Sequence, residues 1–236
     1  MGGTTDPRVL LATTNNAAWC TSMCRAHGLE PHQDRQRWWS TSRTPLYYPD
    51  VVTLDPALSI GDVLAEVDTS TGCSVKDSFA TLDLTAAGFH ELFEADWIHR
   101  PALGAAGRID GAVSGWRAEV VKDEHGLQQW IRGWGEDGGR LFMPALLHDS
   151  DVRLVRMVEG DQTVGVAALN RSPGAVGVSN LACTRASVEQ VWQLIAGLAS
   201  ALFPAHDLVG YEQGKDLVAA RAAGFSQVGP LRVWAV

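Results

Sequence analysis

Residues 152–183 hold three successive segments rich in alternating β-branched positions, 152–158, 163–169 and 175–183. They are separated by two short turn sequences, Glu159-Gly160-Asp161-Gln162 and Arg171-Ser172-Pro173-Gly174. Side chains of an extended chain alternate between two faces, and Gly, Pro, Asp and Ser supply the dihedrals that tight reversals need. The run therefore predicts an antiparallel meander of three strands. A helix follows. Its start is marked by the capping box Ser187-x-x-Gln190, and Val188, Val191, Trp192, Ile195, Leu198, Ala199 and Leu202 recur at the spacing of one apolar helix face. Phe203-Pro204 ends it, and a strand at 208–211, an Ala-rich helix at 216–223 closed by Gly224 and a strand at 227–234 complete the order βββ, α, β, α, β. No internal repeat is present, and the fold class is α+β.

The length of 236 residues is enough for one large core or two small ones that share it. With 19 Lys+Arg against 27 Asp+Glu, the net charge is −8 and no basic run occurs, which argues against nucleic acid and anionic membranes as partners. No stretch approaches the roughly 18 apolar residues of a membrane span, and the start at Met1-Gly2-Gly3 lacks a basic and then apolar leader, so a cytoplasmic location is expected. The four cysteines, Cys20, Cys24, Cys73 and Cys183, are too scattered for a disulfide framework. Reduced thiols are expected and no metal site is assigned, although Cys20, Cys24 and His27 would share one helix face.

The N-terminal half is less patterned. Asn15 or Asn16 reads as the cap of a helix over 17–27, stopped by Gly28. Residues 31–56 are rich in turn formers and carry Trp38, Trp39, Tyr47 and Tyr48, which either cover a substrate pocket or pin a long loop to the core. A short strand is expected at 51–54, a short helix at 60–67, and a hairpin from 74–84 and 88–99. Alternation places Glu94 and Asp96 on one strand face, where two acids would grip a cationic substrate or simply face solvent. The Gly-rich stretch 100–115 reads as the boundary between a subdomain 1–115 and a domain 116–236.

The element order after residue 152, with the ending Arg221-Ala222-Ala223-Gly224-Phe225-x-x-Val228-Gly229-Pro230-Leu231, resembles the C-terminal half of the GCN5-related N-acetyltransferases over roughly residues 116–236. The resemblance implies a mixed sheet flanked by helices, with 1–115 as an N-terminal α/β extension. It also implies a cleft between strands four and five, where the pantetheine arm of acyl-coenzyme A pairs with strand-four backbone and the pyrophosphate meets the next helix. By that resemblance Leu181, Ala182 and Cys183 lie along the donor, and Arg185, Ser187 and Val188 hold its phosphates, helped by the free N–H groups of a helix start. The family's R/Q-x-x-G-x-G/A loop is Arg185-Ala186-Ser187-Val188-Glu189-Gln190 here, which keeps the Arg and neither glycine. Where family enzymes often carry a tyrosine on the last helix, this chain has Ala220. Tyr211 and Glu212, at the end of strand five, are the substitutes: Glu212 as a base toward an amine, Tyr211 as a hydrogen-bond partner of the thioester.

The implied function is acyl transfer from acetyl-coenzyme A, or another acyl-coenzyme A, to an amine of a small molecule. Two readings stay open beside it: a binding or partner module on the same fold, and an enzyme running a different reaction in the same cleft. A small-molecule substrate is the expected partner, with a homodimer left open.

Overall fold

The computed structural model describes residues 5–102, 115–184 and 187–236. Asp6 accepts the backbone N–H of Arg8 at 2.8 Å, and Pro7 occupies the first turn, where a missing N–H costs nothing; helix α1 accordingly runs Pro7–Ala26. The cap expected at Asn15 or Asn16 is thus corrected: both asparagines sit inside a helix that began at the Asp-Pro pair. Strands β1 (His32–Gln33), β2 (Arg37–Trp39) and β3 (Val51–Thr53) follow, then helix α2 (Ile60–Leu64), β4 (Ser74–Asp77) and β5 (His90–Arg100). Next come β6 (Trp116–Val120), α3 (Glu124–Trp134) and α4 (Gly138–Leu141). The meander is β7 (Val152–Glu159), β8 (Gln162–Ser172) and β9 (Ala175–Cys183); α5 (Val188–Leu202), β10 (Asp207–Glu212), α6 (Gly214–Ala222) and β11 (Ser226–Ala235) complete the chain.

The eleven strands of the described residues join one mixed sheet in the order β1-β2-β3-β4-β11-β5-β10-β9-β8-β7-β6. The hairpin expected from 74–99 does not form. Strand β11 lies between β4 and β5 and pairs antiparallel with both, so the two neighbours in sequence are bridged by a strand from the far end of the chain. Strand β5 also pairs with β10. The boundary expected at 100–115 therefore falls between segments of a single sheet; residues 103–114 themselves lie outside the described residues.

Helices cover both faces. On one, α1 crosses β8, β9 and β10 beside α3, and Trp19, Met23, Trp38, Leu127, Trp130 and Phe142 form the core. On the other, α5 and α6 pack through Trp192, Ile195, Ala196, Ala219, Ala220 and Phe225. Ser187 caps α5 by accepting the N–H of Gln190 at 3.2 Å; of the predicted apolar stripe Val191, Trp192, Ile195 and Ala199 are buried and Leu202 is exposed, while Leu194 and Ala196 are buried besides. Among the described residues no helix is long and apolar enough to cross a membrane.

Candidate functional site

Among the described residues, the sheet opens between β9 and β10. Strands β9 and β10 pair in parallel only over Ala175, Val176 and Gly177 with Asp207, Leu208 and Val209. Two devices part them. In β9, two residues stand opposite one of β8 between the pairs Ala168↔Ser179 and Val166↔Ala182, and Asn180 takes a left-handed φ of 52°. Such a bulge bends its strand and ends pairing locally. At Gly210 the chain still passes so close to the carbonyl of Val178 that an added Cβ would lie 2.8 Å from that oxygen, so only glycine fits where the strands begin to part. Beyond this point the β10-facing backbone of β9 has no strand partner among the described residues.

A cavity of about 300 Å³ fills the splay, a volume at the low end for small-molecule sites. Its walls come from both halves of the chain: Asn15, Asn16, Trp19 and Cys20 on α1, Tyr47 and Tyr48 from the loop before β3, Lys76 on β4, and residues 177–181 and 210–212 on the parted strands. Five sequence-derived candidates meet here, namely Tyr47, Tyr48, Leu181, Tyr211 and Glu212.

Glu212 is half-buried at the end of β10. Burial, with the charge of Asp216 as a second cause, pushes its carboxyl up from 4.5 to about 8. Tyr211, one residue earlier, points to the α1 side and meets Trp97 edge-on with ring centroids 5.6 Å apart. Consecutive strand residues face opposite sides of a sheet, so the cavity wall formed by this pair spans the gap between β9 and β10. The Tyr48 hydroxyl donates to Asn180 Oδ1 at 3.3 Å, and burial holds its phenol well above the usual range. Tyr47, itself at a φ of 69°, is exposed and donates to Asp137 Oδ2 at 2.7 Å across the mouth. The loop carrying both tyrosines is fixed by buried Asp50, which accepts the N–H groups of Thr44 and Ser74 and pairs with Arg43 at 2.7 Å.

The other candidates are placed elsewhere. Trp38 does not contribute to the pocket: its ring is wholly buried in the core under α1, with its Nε1–H donated to Thr21 Oγ1 at 2.8 Å. Glu94 and Asp96 lie on the next strand outside the cavity, and Glu94 pairs with Arg232. Ala182, Cys183, Ser187 and Val188 lie past the cavity along β9 and the start of α5. Arg185, with Ala186, lies outside the described residues. The thiols of Cys20 and Cys24 are buried, which pushes them up to about 11 and about 12, and His27 Nε2 contacts the carbonyl of Leu141 at 2.8 Å. Among the described residues no group of three His, Cys, Asp or Glu side chains comes together as a metal site.

Four polar residues outside the sequence-derived site candidates border the cavity: Asn15, Asn16, Lys76 and Asn170. Asn15 Nδ2 donates to the Asn170 carbonyl at 3.1 Å and to Ser172 Oγ at 2.8 Å, while Asn170 Nδ2 donates to the Asn15 carbonyl at 3.1 Å. Carbonyl partners force the nitrogens inward, so both Oδ1 atoms turn toward Gly177, where any Cβ would collide with them. A signal for Asn15 and Asn16 existed. Asp6-Pro7 is a strong helix start, and it puts two poor helix formers mid-helix, where they need a reason.

No protein-family model matches the sequence, and no curated protein is similar to it at the sequence level. Solved structures are similar to it. A GCN5-related N-acetyltransferase from Kribbella flavida superposes with a TM-score of 0.61 at 14% identity, over 95% of each chain. A conserved protein of unknown function from Staphylococcus epidermidis gives 0.61 at 8% identity, over 86% of this chain and 91% of its own. A GCN5-related N-acetyltransferase from Sphaerobacter thermophilus gives 0.52 at 11% identity, over 98% of this chain and 96% of its own. The fold is that of the GCN5-related N-acetyltransferases. The likeness was expected mainly over 116–236, and it extends over nearly the whole chain, as β5 and α1 in the centre of the molecule require.

Coenzyme A can be tested against this version of the acetyltransferase fold at two points. The parted edge of β9 offers backbone N–H and C=O groups without a strand partner, and amide groups of a pantetheine arm fit such an edge. The start of α5 is less suited to phosphate, because Ser187 is occupied as the cap and Glu189 adds an acid to the first turn.

Proposed function

We propose that the chain is an N-acyltransferase that moves an acyl group, most simply acetyl, from acyl-coenzyme A to an amine of a small molecule. The observation that carries this reading is the position of Glu212, a carboxyl lifted to about 8 beside a cavity that opens where β9 and β10 part. Acyl-coenzyme A would supply an activated thioester lying along the free edge of β9. Glu212 accepts the proton that the amine nitrogen gives up as its bond to the acyl carbon forms and the carbon–sulfur bond breaks. A base with a pKa near the working pH suits that task. Tyr211 is the donor that returns a proton to the leaving sulfur, in place of the tyrosine whose position holds buried Ala220. The loop bearing Tyr47 and Tyr48 shapes the acceptor side.

Thermal shift with acetyl-coenzyme A and with free coenzyme A tests the donor, since a ligand at 100 times its Kd adds about 2.7 kcal/mol. No shift with either sinks the proposal. The Glu212→Gln variant should keep that shift while losing turnover and the rising limb of kcat/KM near pH 8. It also has a stability signature. With a folded pKa of about 8 against 4.5 unfolded, the native state holds the extra proton between these values, so the carboxyl's contribution is full below pH 4.5 and is lost as pH rises through 8. Glu212→Gln should match wild type in denaturant midpoint at pH 4.5 and exceed it at pH 9. Equal midpoints at pH 9 would remove Glu212 from the perturbed site.

A second reading, a binding module without transfer chemistry, is favoured by the acid at Glu189 in the first turn of α5 and by the absence of glycine from Val188-Glu189-Gln190. It predicts no release of free thiol with any amine.

A further inference from the structure

Lys76 is a feature of the cavity that acyl transfer does not by itself require. Its side chain leaves β4 toward α1 and is 3% exposed, yet it borders the cavity. Its Nζ donates to Asn16 Oδ1 at 3.0 Å and lies 4.0 Å from the centre of the Tyr211 ring. Among the described residues no carboxylate pairs with it, in a chain whose net charge is −8. An ammonium has three donors, and one amide oxygen with one ring face leaves it short of both hydrogen bonds and counter-charge. A buried cation held this way costs free energy until an anion joins it. Glu212 borders the same cavity, but no ion pair or hydrogen bond among the described residues joins it to Lys76, and burial raises its carboxyl to about 8.

The floor beside it has the opposite character. Asn15 Oδ1 and Asn170 Oδ1 both turn toward Gly177, at the point where β9 and β10 part, and no hydrogen bond among the described residues reaches either oxygen. They are acceptors awaiting N–H groups. A polyanion such as a phosphate would meet one ammonium and two repelling carbonyl oxygens, whereas a carboxylate joined to an amine would satisfy both sets.

We infer that the acceptor is an amino carboxylate, its carboxylate bound by Lys76 and its amine N–H groups held by Asn15 and Asn170 over Gly177. This rests on the acyl-transfer reading for the reaction but not for the binding. An amine held there lies at the opening of the splay, where the free edge of β9 begins. The cavity of about 300 Å³ suits a molecule of amino-acid size.

The test uses the full chain and a panel of the twenty amino acids, each beside its methyl ester. Binding is read by calorimetry without any acyl donor, and turnover by thiol release with acetyl-coenzyme A. At least one free amino acid should bind about 10- to 100-fold more tightly than its ester, as expected for a hydrogen bond to a charged group. Lys76→Met, which keeps the stem and removes the charge, should erase that difference and leave the ester unaffected; Lys76→Gln provides a second variant should the first fail to fold. Equal affinity for acid and ester, no binding of any amino acid, or an unchanged preference in the variants overturns the inference. Lys76-dependent binding without turnover upholds it and overturns the acyl-transfer reading alone.

Discussion

The two faces of the sheet around β9 and β10 are built from alternate residues of the same strands, yet they differ in kind. Under α5 and α6 the contacts are Trp192, Ile195, Ala196, Ala219, Ala220 and Phe225, a dry and closely packed layer. Under α1 the sheet carries Lys76 and Asn170 against Asn15, polar groups buried at a cost that packing does not recover, with half-buried Asn16 beside them. One face is apolar throughout this region. The other carries the arrangement that a ligand would complete. The difference shows that a helix can contribute to a fold and to a site through adjacent turns, as α1 does: Met23 and Cys24 lie in its core while Asn15 and Asn16 border the cavity.

Substitutions on each face should separate these roles. The largest effect is expected from Trp192→Ala on the dry face. Loss of a wholly buried indole should cost about 3–5 kcal/mol, read as a denaturant midpoint shift, and a loss under 1 kcal/mol would mean that this face is not the main support. Next is Gly177→Ala on the polar face. Its Cβ must push Asn15 and Asn170 apart, so stability should fall by about 1–3 kcal/mol and the affinity for amino carboxylates should fall with it. Retained affinity would break the link between the two asparagines and the ligand. The smallest is Tyr47→Phe, which removes an exposed hydroxyl bond to Asp137. Stability should change by less than about 1 kcal/mol, while KM for the acceptor should rise a few-fold; an unchanged KM would make Tyr47 a surface residue only.

The dry face was legible in the sequence and the polar face was not, for a physical reason. Strands β7, β8 and β9 and helix α5 declare themselves through local periodicity, and Ser187 marks its helix by a bond only three residues long. Tyr211 and Glu212 could be placed at a strand end because a strand end is local too, and both border the cavity. The choice of partner is not local: β4 and β5 look like a hairpin until β11, from about 140 residues further on, pairs between them. Trp38 and Tyr48, among the same turn formers, part company because Thr21 on α1 receives one ring and Asn180 on β9 the hydroxyl of the other. Alternation put Glu94 and Asp96 on a common face, and the pairing of Glu94 with Arg232, from the far end of the chain, could not be read from it.

The placement of β11 also bears on when the protein becomes competent. During synthesis, Asn15 and Lys76 emerge early, but β4 reaches the rest of the sheet only through β11, whose residues 226–235 are made after every other element described. Until that strand is available, β4 can pair only with β3, and Lys76 has no route to Tyr211. The cavity therefore cannot assemble domain by domain behind the ribosome. Its parts are made first and its wall is closed last.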